Sequence, residues 1–202
     1  MRLLLVRHGE TALNAARVLQ PADTPLSARG TAQARALALR LAGEPIAAIW
    51  SSDLPRAWQT AEALAGGRAI LPEPLLQERN FGNLRGQAYD TLGFDPLRSA
   101  EAPPGGESLA EFEARIDAAL DRALHAAAAL PGALLLVTHG LVIGSLLARR
   151  ITLPAGVAPP ARIGNTALSV IELGPPPQAT RVDCTAHLDA ARADDPHALS
   201  GA

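Results

Sequence analysis

Two stretches of this sequence share nearly the same form: Leu3-Leu4-Leu5-Val6-Arg7-His8-Gly9 and Leu134-Leu135-Leu136-Val137-Thr138-His139-Gly140. Each is a short apolar run that stops at His-Gly. An unbroken apolar run of that length, bounded by glycine, reads as a strand buried on both faces. Such strands belong to parallel sheets covered by helices on either side. In open sheets of that kind, ligands bind beyond the carboxyl ends of the strands. Two strands with the same ending can therefore carry two imidazoles and one cation, Arg7, to a single sheet edge. One histidine after a strand is usually an ordinary loop residue. A repeated His-Gly ending is harder to explain that way.

The remaining pattern fits the same architecture. Further strand-like runs fall at Ile46–Ser51 and Ala167–Leu173, with weaker ones at Arg68–Leu71 and Ala179–Asp183. Helical patterns separate them. Ser27 can cap a helix running to about Gly43, and Asp53 to Ala65 reads as a second. Ser108 to Leu130 is long, alanine-rich and stopped by Pro131-Gly132, and Gly140 to Ile151 is a fourth. Alternating strands and helices predict an α/β fold, a three-layer α/β/α sandwich with a mostly parallel central sheet. One catalytic domain over residues 1–189 is expected, followed by a polar, frayed tail at 190–202. Residues 87–107 look irregular, with a Pro-Pro pair and several glycines, and suit a lid.

Composition removes several functions. The 202 residues contain no lysine. A phosphate-binding Gly-Lys-Ser/Thr loop and a Schiff-base lysine are thus both excluded. The net charge of −2 comes without a basic stripe, which disfavours nucleic acid as a partner. The longest apolar stretch, Ala133 to Ala148, is too short for a membrane span and carries His139. A single cysteine, Cys184, allows no intrachain disulfide and fits a reducing compartment. Because the first strand-like run begins at Arg2, no signal peptide is expected. A cytoplasmic protein follows, with homodimerisation left open.

Further chemistry gathers near the strand ends. Ser51-Ser52-Asp53-Leu54-Pro55-Arg56 closes the second strand and puts Arg56 in the first turns of a helix. Taken alone, it is an ordinary solvated helix arginine. Glu78-Arg79-Asn80-Phe81-Gly82 is a Glu-Arg pair in a glycine-punctuated segment, as many surface turns are. Other hydrolytic machinery is missing. Six residues after Cys184 stands Ala190, so Cys-x5-Arg does not occur. No Asp-x-Asp triplet occurs, and Gly106-Glu107-Ser108-Leu109-Ala110 lacks the last glycine of a serine nucleophile elbow. His8, His139 and Glu78 as a metal site would set a cation between arginines, so no metal is expected.

These residues together resemble the histidine phosphatase superfamily, the phosphoglycerate-mutase-like enzymes. The resemblance is carried by Arg7-His8-Gly9-Glu10-Thr11 with Asn14 and Arg17, and by Pro25-Leu26-Ser27 with Gly30 and Gln33. It continues through Ser51-Ser52-Asp53-Leu54 with Arg56, Gln59, Thr60 and Ala61, then Glu78 with Gly82 and Gly86. Gly106-Glu107-Ser108, Thr138-His139-Gly140 and Asn165 complete it. The ordered set spans residues 2 to about 172.

The resemblance implies a role for each residue. His8 is the nucleophile, forming a phosphohistidine, with its other ring nitrogen held by a backbone carbonyl. Arg7 and Arg56 neutralise the phosphoryl charge, and His139, if protonated, adds a third positive donor. Glu78 is the acid for the leaving oxygen and then the base for water. Asn14 hydrogen-bonds phosphate, and the Gly140 N–H opens a helix whose dipole suits an anion. Gln20 stands in a loop that borders substrate, and Arg79 could hold a second anionic group. Glu10 is a supporting carboxylate. No cofactor is implied, and the partner is a small phosphorylated substrate. The implied enzyme is a phosphomonoesterase of histidine acid phosphatase type. A phosphoglycerate mutase is the second reading and a silent phosphate-binding module the third. Glu78-Arg79-x-aromatic-Gly leans toward mutases. The segment from Tyr89 to Gly105 leans away, having neither the lysine nor the paired arginines that mutases carry there.

Overall fold

The computed structural model describes residues 1–189, 193, 198 and 199. A six-stranded sheet runs through its centre in the order β3-β2-β4-β1-β5-β6. The strands are β1 (Arg2–Arg7), β2 (Ile46–Ser51), β3 (Ile70–Pro72), β4 (Ala133–Thr138), β5 (Leu168–Glu172) and β6 (Gln178–Cys184). The pairings β1–β4, β2–β4 and β2–β3 are parallel. The hairpin side, β1–β5 and β5–β6, is antiparallel. The mostly parallel sheet is the one the sequence predicts.

Alternation along β1 explains the three layers. Leu3 and Leu5 face one core, with Phe112, Ile116 and Leu120 of α4 (Leu109–Ala128) and Val142, Ile143 and Leu146 of α5 (Gly140–Arg149). Leu4 and Val6 face the other, with Leu37 of α2 (Ala28–Arg40) and Ala57, Ala61 and Leu64 of α3 (Pro55–Ala65). Successive side chains of a strand point to opposite faces, so one apolar run serves both cores. Each β1 leucine is at most 1% exposed. Burying a leucine contributes roughly 1.5–3 kcal/mol, and β1 holds three in a row.

The helices begin close to where the sequence predicts, and most end slightly earlier. Ser27 caps α2 through the Gly30 N–H, and Ser108 caps α4 in a reciprocal capping box with Glu111. A short α1 (Ala12–Ala15) was not evident in the pattern; four residues are too few for an apolar stripe. It is fixed by a second capping box, Thr11 with Asn14.

One close approach anchors the loop after β1. A Cβ on Gly30 would lie 2.0 Å from the Glu10 carbonyl oxygen, and one on Gly9 2.5 Å from the Gly30 carbonyl oxygen. The first turn of α2 thus rests directly on the backbone that follows His8. Backbone cannot yield as a flexible side chain can. Gly30→Ala is expected to lower stability by about 1–3 kcal/mol or more, as overpacking does. The shift in the urea midpoint measures it, and an unchanged midpoint would contradict the packing described.

Candidate active site

Register brings the two histidines together. β1 and β4 pair in parallel with Val6 opposite Val137 and Arg7 opposite Thr138. Past the last pair, the His8 N–H donates to the Thr138 carbonyl at 2.9 Å. His8 and His139 therefore leave adjacent strands at the same end, and their ring centroids lie 5.1 Å apart. β2 joins on the far side of β4, where the Ser52 N–H donates to the Val137 carbonyl. α3 starts there and carries Arg56 inward. Arg7, His8 and Arg56 are each 2% exposed, and His139 is fully buried.

The His8 ring is held in one tautomer. Its Nδ1 lies 2.7 Å from the Gly9 carbonyl oxygen. A carbonyl only accepts, so Nδ1 carries the hydrogen and Nε2 is left with its lone pair. The backbone carbonyl expected from the sequence is thus the next residue's own. Around it the loop is braced at several points. The Gly9 N–H donates to Thr60 Oγ1, the Glu10 N–H to Gln33 Oε1, and Asn165 Nδ2 to the His8 carbonyl. Glu10 turns away from the pocket, accepting from Ser27 Oγ and pairing with Arg29. Its supporting position agrees with the sequence reading.

The charges are set by burial and by the guanidinium groups. Burial, then Arg7 and Arg56, push the His8 pKa well below the usual imidazole value of 6.5. Burial, then Arg56, His8 and Arg7, do the same to His139. Both effects favour a neutral His139, and the sequence reading made its positive charge conditional on a proton. Its Nε2 lies 2.8 Å from Ser52 Oγ. Its Nδ1 is buried without a hydrogen-bond partner among the described residues, as is Arg56 Nε. Such atoms are costly to leave unsatisfied; Arg56 borders the pocket, and the His139 ring lies against that of His8. Burial draws Arg56 down to about 10, Glu78 opposing the shift, so it stays charged at neutral pH.

Glu78 enters from the segment after β3. A short 3-10 turn at Pro74–Leu76 ends just before it. Arg115 of α4 donates to the Leu75 and Gln77 carbonyls and fixes that approach. Glu78 Oε1 accepts the Arg79 N–H at 2.9 Å, and Oε2 accepts the Leu141 N–H at 3.2 Å. Burial raises its pKa above 4.5, against those two bonds and the pull of Arg56 and Arg7. At the N-terminus of α5 it is the Leu141 N–H that reaches Glu78, one residue beyond the Gly140 that the sequence reading offered to a phosphate.

A small cavity of about 40 Å³ lies among these groups, bordered by Arg7, His8, Asn14, Arg56, Glu78 and Leu141. Gln20 is on its wall and accepts from Thr11 Oγ1 at 2.7 Å. Arg79 is on it too, but its guanidinium donates to the backbone carbonyls of Pro96, Glu101 and Glu107. That clip ties the 87–107 segment down beside the pocket, which Leu97 borders. Arg85 and Leu199 also border it, and neither was singled out from the sequence. Arg85 sits in a plain Gly-Asn-Leu-Arg-Gly turn, and no local pattern gives Leu199 a role. Arg17 lies apart, paired with Asp90 at the surface.

This arrangement gives two catalytic-type acid–base states a pH signature. Attack by His8 with proton donation by Glu78 would require His8 unprotonated and Glu78 protonated. The His8 condition is met once pH exceeds its lowered pKa. The Glu78 condition is lost as pH rises through its raised pKa. A plot of kcat/KM against pH is expected to be bell-shaped, its acid limb below the ordinary imidazole range and its alkaline fall, set by Glu78, above the ordinary carboxylate range. An acid limb at or above 6.5, or an alkaline fall that survives Glu78→Gln, would contradict the assignment.

The fold and the pocket define a class: an α/β/α protein with two buried imidazoles beside buried guanidinium groups at the sheet's carboxyl edge. The profile of the histidine phosphatase superfamily (branch 1) matches residues 3–181, and the chain belongs to that family. Among curated proteins, "Probable phosphoglycerate mutase GpmB" of Yersinia pestis is 35% identical over 213 residues, covering 96% of this chain and 98% of that protein. Among solved structures, the α-ribazole phosphatase from Shigella flexneri superposes with a TM-score of 0.78 at 26% identity, over 92% of this chain and 97% of that one. A mycobacterial glucosyl-3-phosphoglycerate phosphatase complexed with VO3 gives 0.77 at 29% identity, over 91% and 98%. Among the described residues no helix is long and apolar enough to cross a membrane.

Proposed function

We propose that this chain is a metal-independent phosphomonoesterase that works through a phosphohistidine on His8 and acts on a small phosphorylated metabolite. The observation that carries the reading is the fixed tautomer: the Gly9 carbonyl holds the Nδ1 proton, so Nε2 is ready to attack. The phosphoryl group sits between Arg7, Arg56 and Asn14, with His139 Nδ1 donating to it. Nε2 forms a bond to phosphorus as the bond to the ester oxygen breaks. Glu78 gives that oxygen its proton. Water then attacks phosphorus, Glu78 takes a proton back, and the P–N bond breaks to free inorganic phosphate and neutral His8.

The charge on the three equatorial oxygens is the main obstacle in such a reaction. Fixed guanidinium groups can meet it in place of a metal ion. Turnover is therefore expected to survive excess EDTA. Loss of phosphate release in chelator, restored by a divalent cation, would refute this.

A mutase is the second reading, favoured by the name of the curated relative. Arg79 bears on the choice, since its donors go to backbone carbonyls instead of a second anionic group. Incubation with 3-phosphoglycerate separates the two readings. Accumulating 2-phosphoglycerate supports a mutase; free phosphate from that or another phosphorylated metabolite supports a phosphatase. The neighbours named as phosphatases of α-ribazole phosphate and glucosyl-3-phosphoglycerate give the first substrates for such a screen. No turnover of any ester, with phosphate still bound, would leave the silent binding module.

A further inference from the structure

Leu199 lies almost two hundred residues from Arg7, yet its backbone enters the pocket beside it. Its carbonyl accepts from Arg7 Nη2 at 3.2 Å and from Asn14 Nδ2 at 3.0 Å. Its N–H donates to the Asn14 carbonyl at 3.0 Å. The preceding Ala198 is only 6% exposed. Leu199 borders the same cavity as His8, Arg56 and Glu78. The sequence predicts a frayed tail here; these two residues are docked, and the tail's remainder, Ala193 apart, is outside the described residues.

Arg7 and Asn14 are two of the groups the phosphoryl oxygens would use. A peptide carbonyl is a neutral acceptor that offers one such oxygen. With only about 40 Å³ of cavity beside it, the carbonyl and a phosphoryl group compete for the same donors. We propose that the C-terminal segment is an intramolecular competitor for the phosphate site, the Leu199 carbonyl standing in for one phosphoryl oxygen until substrate displaces it. This rests on the pocket being a phosphate site. Arg7 is charged toward either acceptor, but a phosphate dianion adds an opposite charge and can take the guanidinium fork bidentately, which one neutral carbonyl cannot. Phosphate therefore wins when it is abundant. Because the competitor belongs to the same chain, it lowers the apparent affinity for every phosphate ligand by the fraction of molecules whose pocket is open.

The test is calorimetric titration with inorganic phosphate and with orthovanadate, comparing the full chain, a chain lacking residues 190–202, and Leu199→Pro in the full chain. Leu199→Pro removes the N–H that holds the segment to Asn14 and leaves the rest of the tail in place. If the pocket is open in only about a tenth of molecules, deletion tightens both ligands about tenfold. Leu199→Pro is expected to shift them the same way by less. If the deleted chain fails to fold, Leu199→Pro alone decides the sign. Unchanged or weaker binding in the variants overturns the competitor and leaves the phosphatase reading intact. No binding of either anion by any form overturns both. Binding with the expected shift but no ester turnover overturns the phosphatase reading alone.

Discussion

His8→Ala is expected to abolish the phosphoenzyme and to cut turnover on the order of 10⁶-fold, the scale on which hydrolases lose activity with their nucleophile. The reason is geometric. Nε2 of His8 is the ring nitrogen with a free lone pair between Arg7 and Arg56. His139 is 5.1 Å away, ring to ring, but its Nε2 is engaged with Ser52 Oγ. Ser52 itself accepts the Leu54 N–H and lies behind that ring. Neither can take over without rearranging the sheet edge. Fold should survive, because among the described residues the His8 side chain hydrogen-bonds the adjacent Gly9 carbonyl and ties no second element. Rapid quenching with a radiolabelled phosphoester reads the covalent species directly. A label that persists on His8→Ala would assign the nucleophile elsewhere, and His139→Ala would then be the next variant.

The strands and the histidine pair were legible because their signals are local. An unbroken apolar run has few alternatives once helical periodicity is missing, and His-Gly marks its end. What the sequence could not supply was the register, Val6 opposite Val137, that turns two similar endings into neighbours. Arg56 shows the opposite case. On helical pattern alone it is a surface residue, and only the resemblance placed it in the site; the structure buries it to 2% exposure. Arg79 was given an anion to hold because Glu-Arg is a recognisable pair. Its partners are carbonyls from residues 96 to 107, and no periodicity encodes a contact of that kind. Leu199 was invisible for the same reason. A backbone carbonyl has no residue-type signature, so its arrival beside Arg7 depends wholly on tertiary structure. The acid was readable as a candidate, but its protonation was not. The burial that raises Glu78, and the Leu141 N–H that opposes it, come from α5 and the sheet edge together.

Glu78→Gln is expected to divide substrates by their leaving groups. The substitution keeps the size of the side chain and leaves His8, Arg7 and Arg56 in place. One local cost is visible. Both Glu78 oxygens accept backbone N–H groups, from Arg79 and Leu141, and an amide can satisfy only one of them. That penalty is the same for every substrate, so it cancels in a comparison between esters. What does not cancel is the proton. An alkoxide leaving an alkyl phosphate is a strong base and needs a donor in the transition state. The p-nitrophenolate ion is a weak base and needs little help. General acid catalysis is worth about 10² to 10⁴-fold, and Glu78→Gln should lose that amount on an alkyl phosphate while losing far less on p-nitrophenyl phosphate. In the proposed mechanism Glu78 is also the base for water, so with the aryl ester hydrolysis of the phosphohistidine would become limiting. A burst of p-nitrophenol followed by slow turnover is then expected. The pH profile should lose its alkaline fall in the same variant, since the group whose raised pKa causes it is gone. Equal losses on both esters, no burst, and an unchanged alkaline limb would together remove Glu78 as the acid and return it to the role of an anchor for the α5 N-terminus.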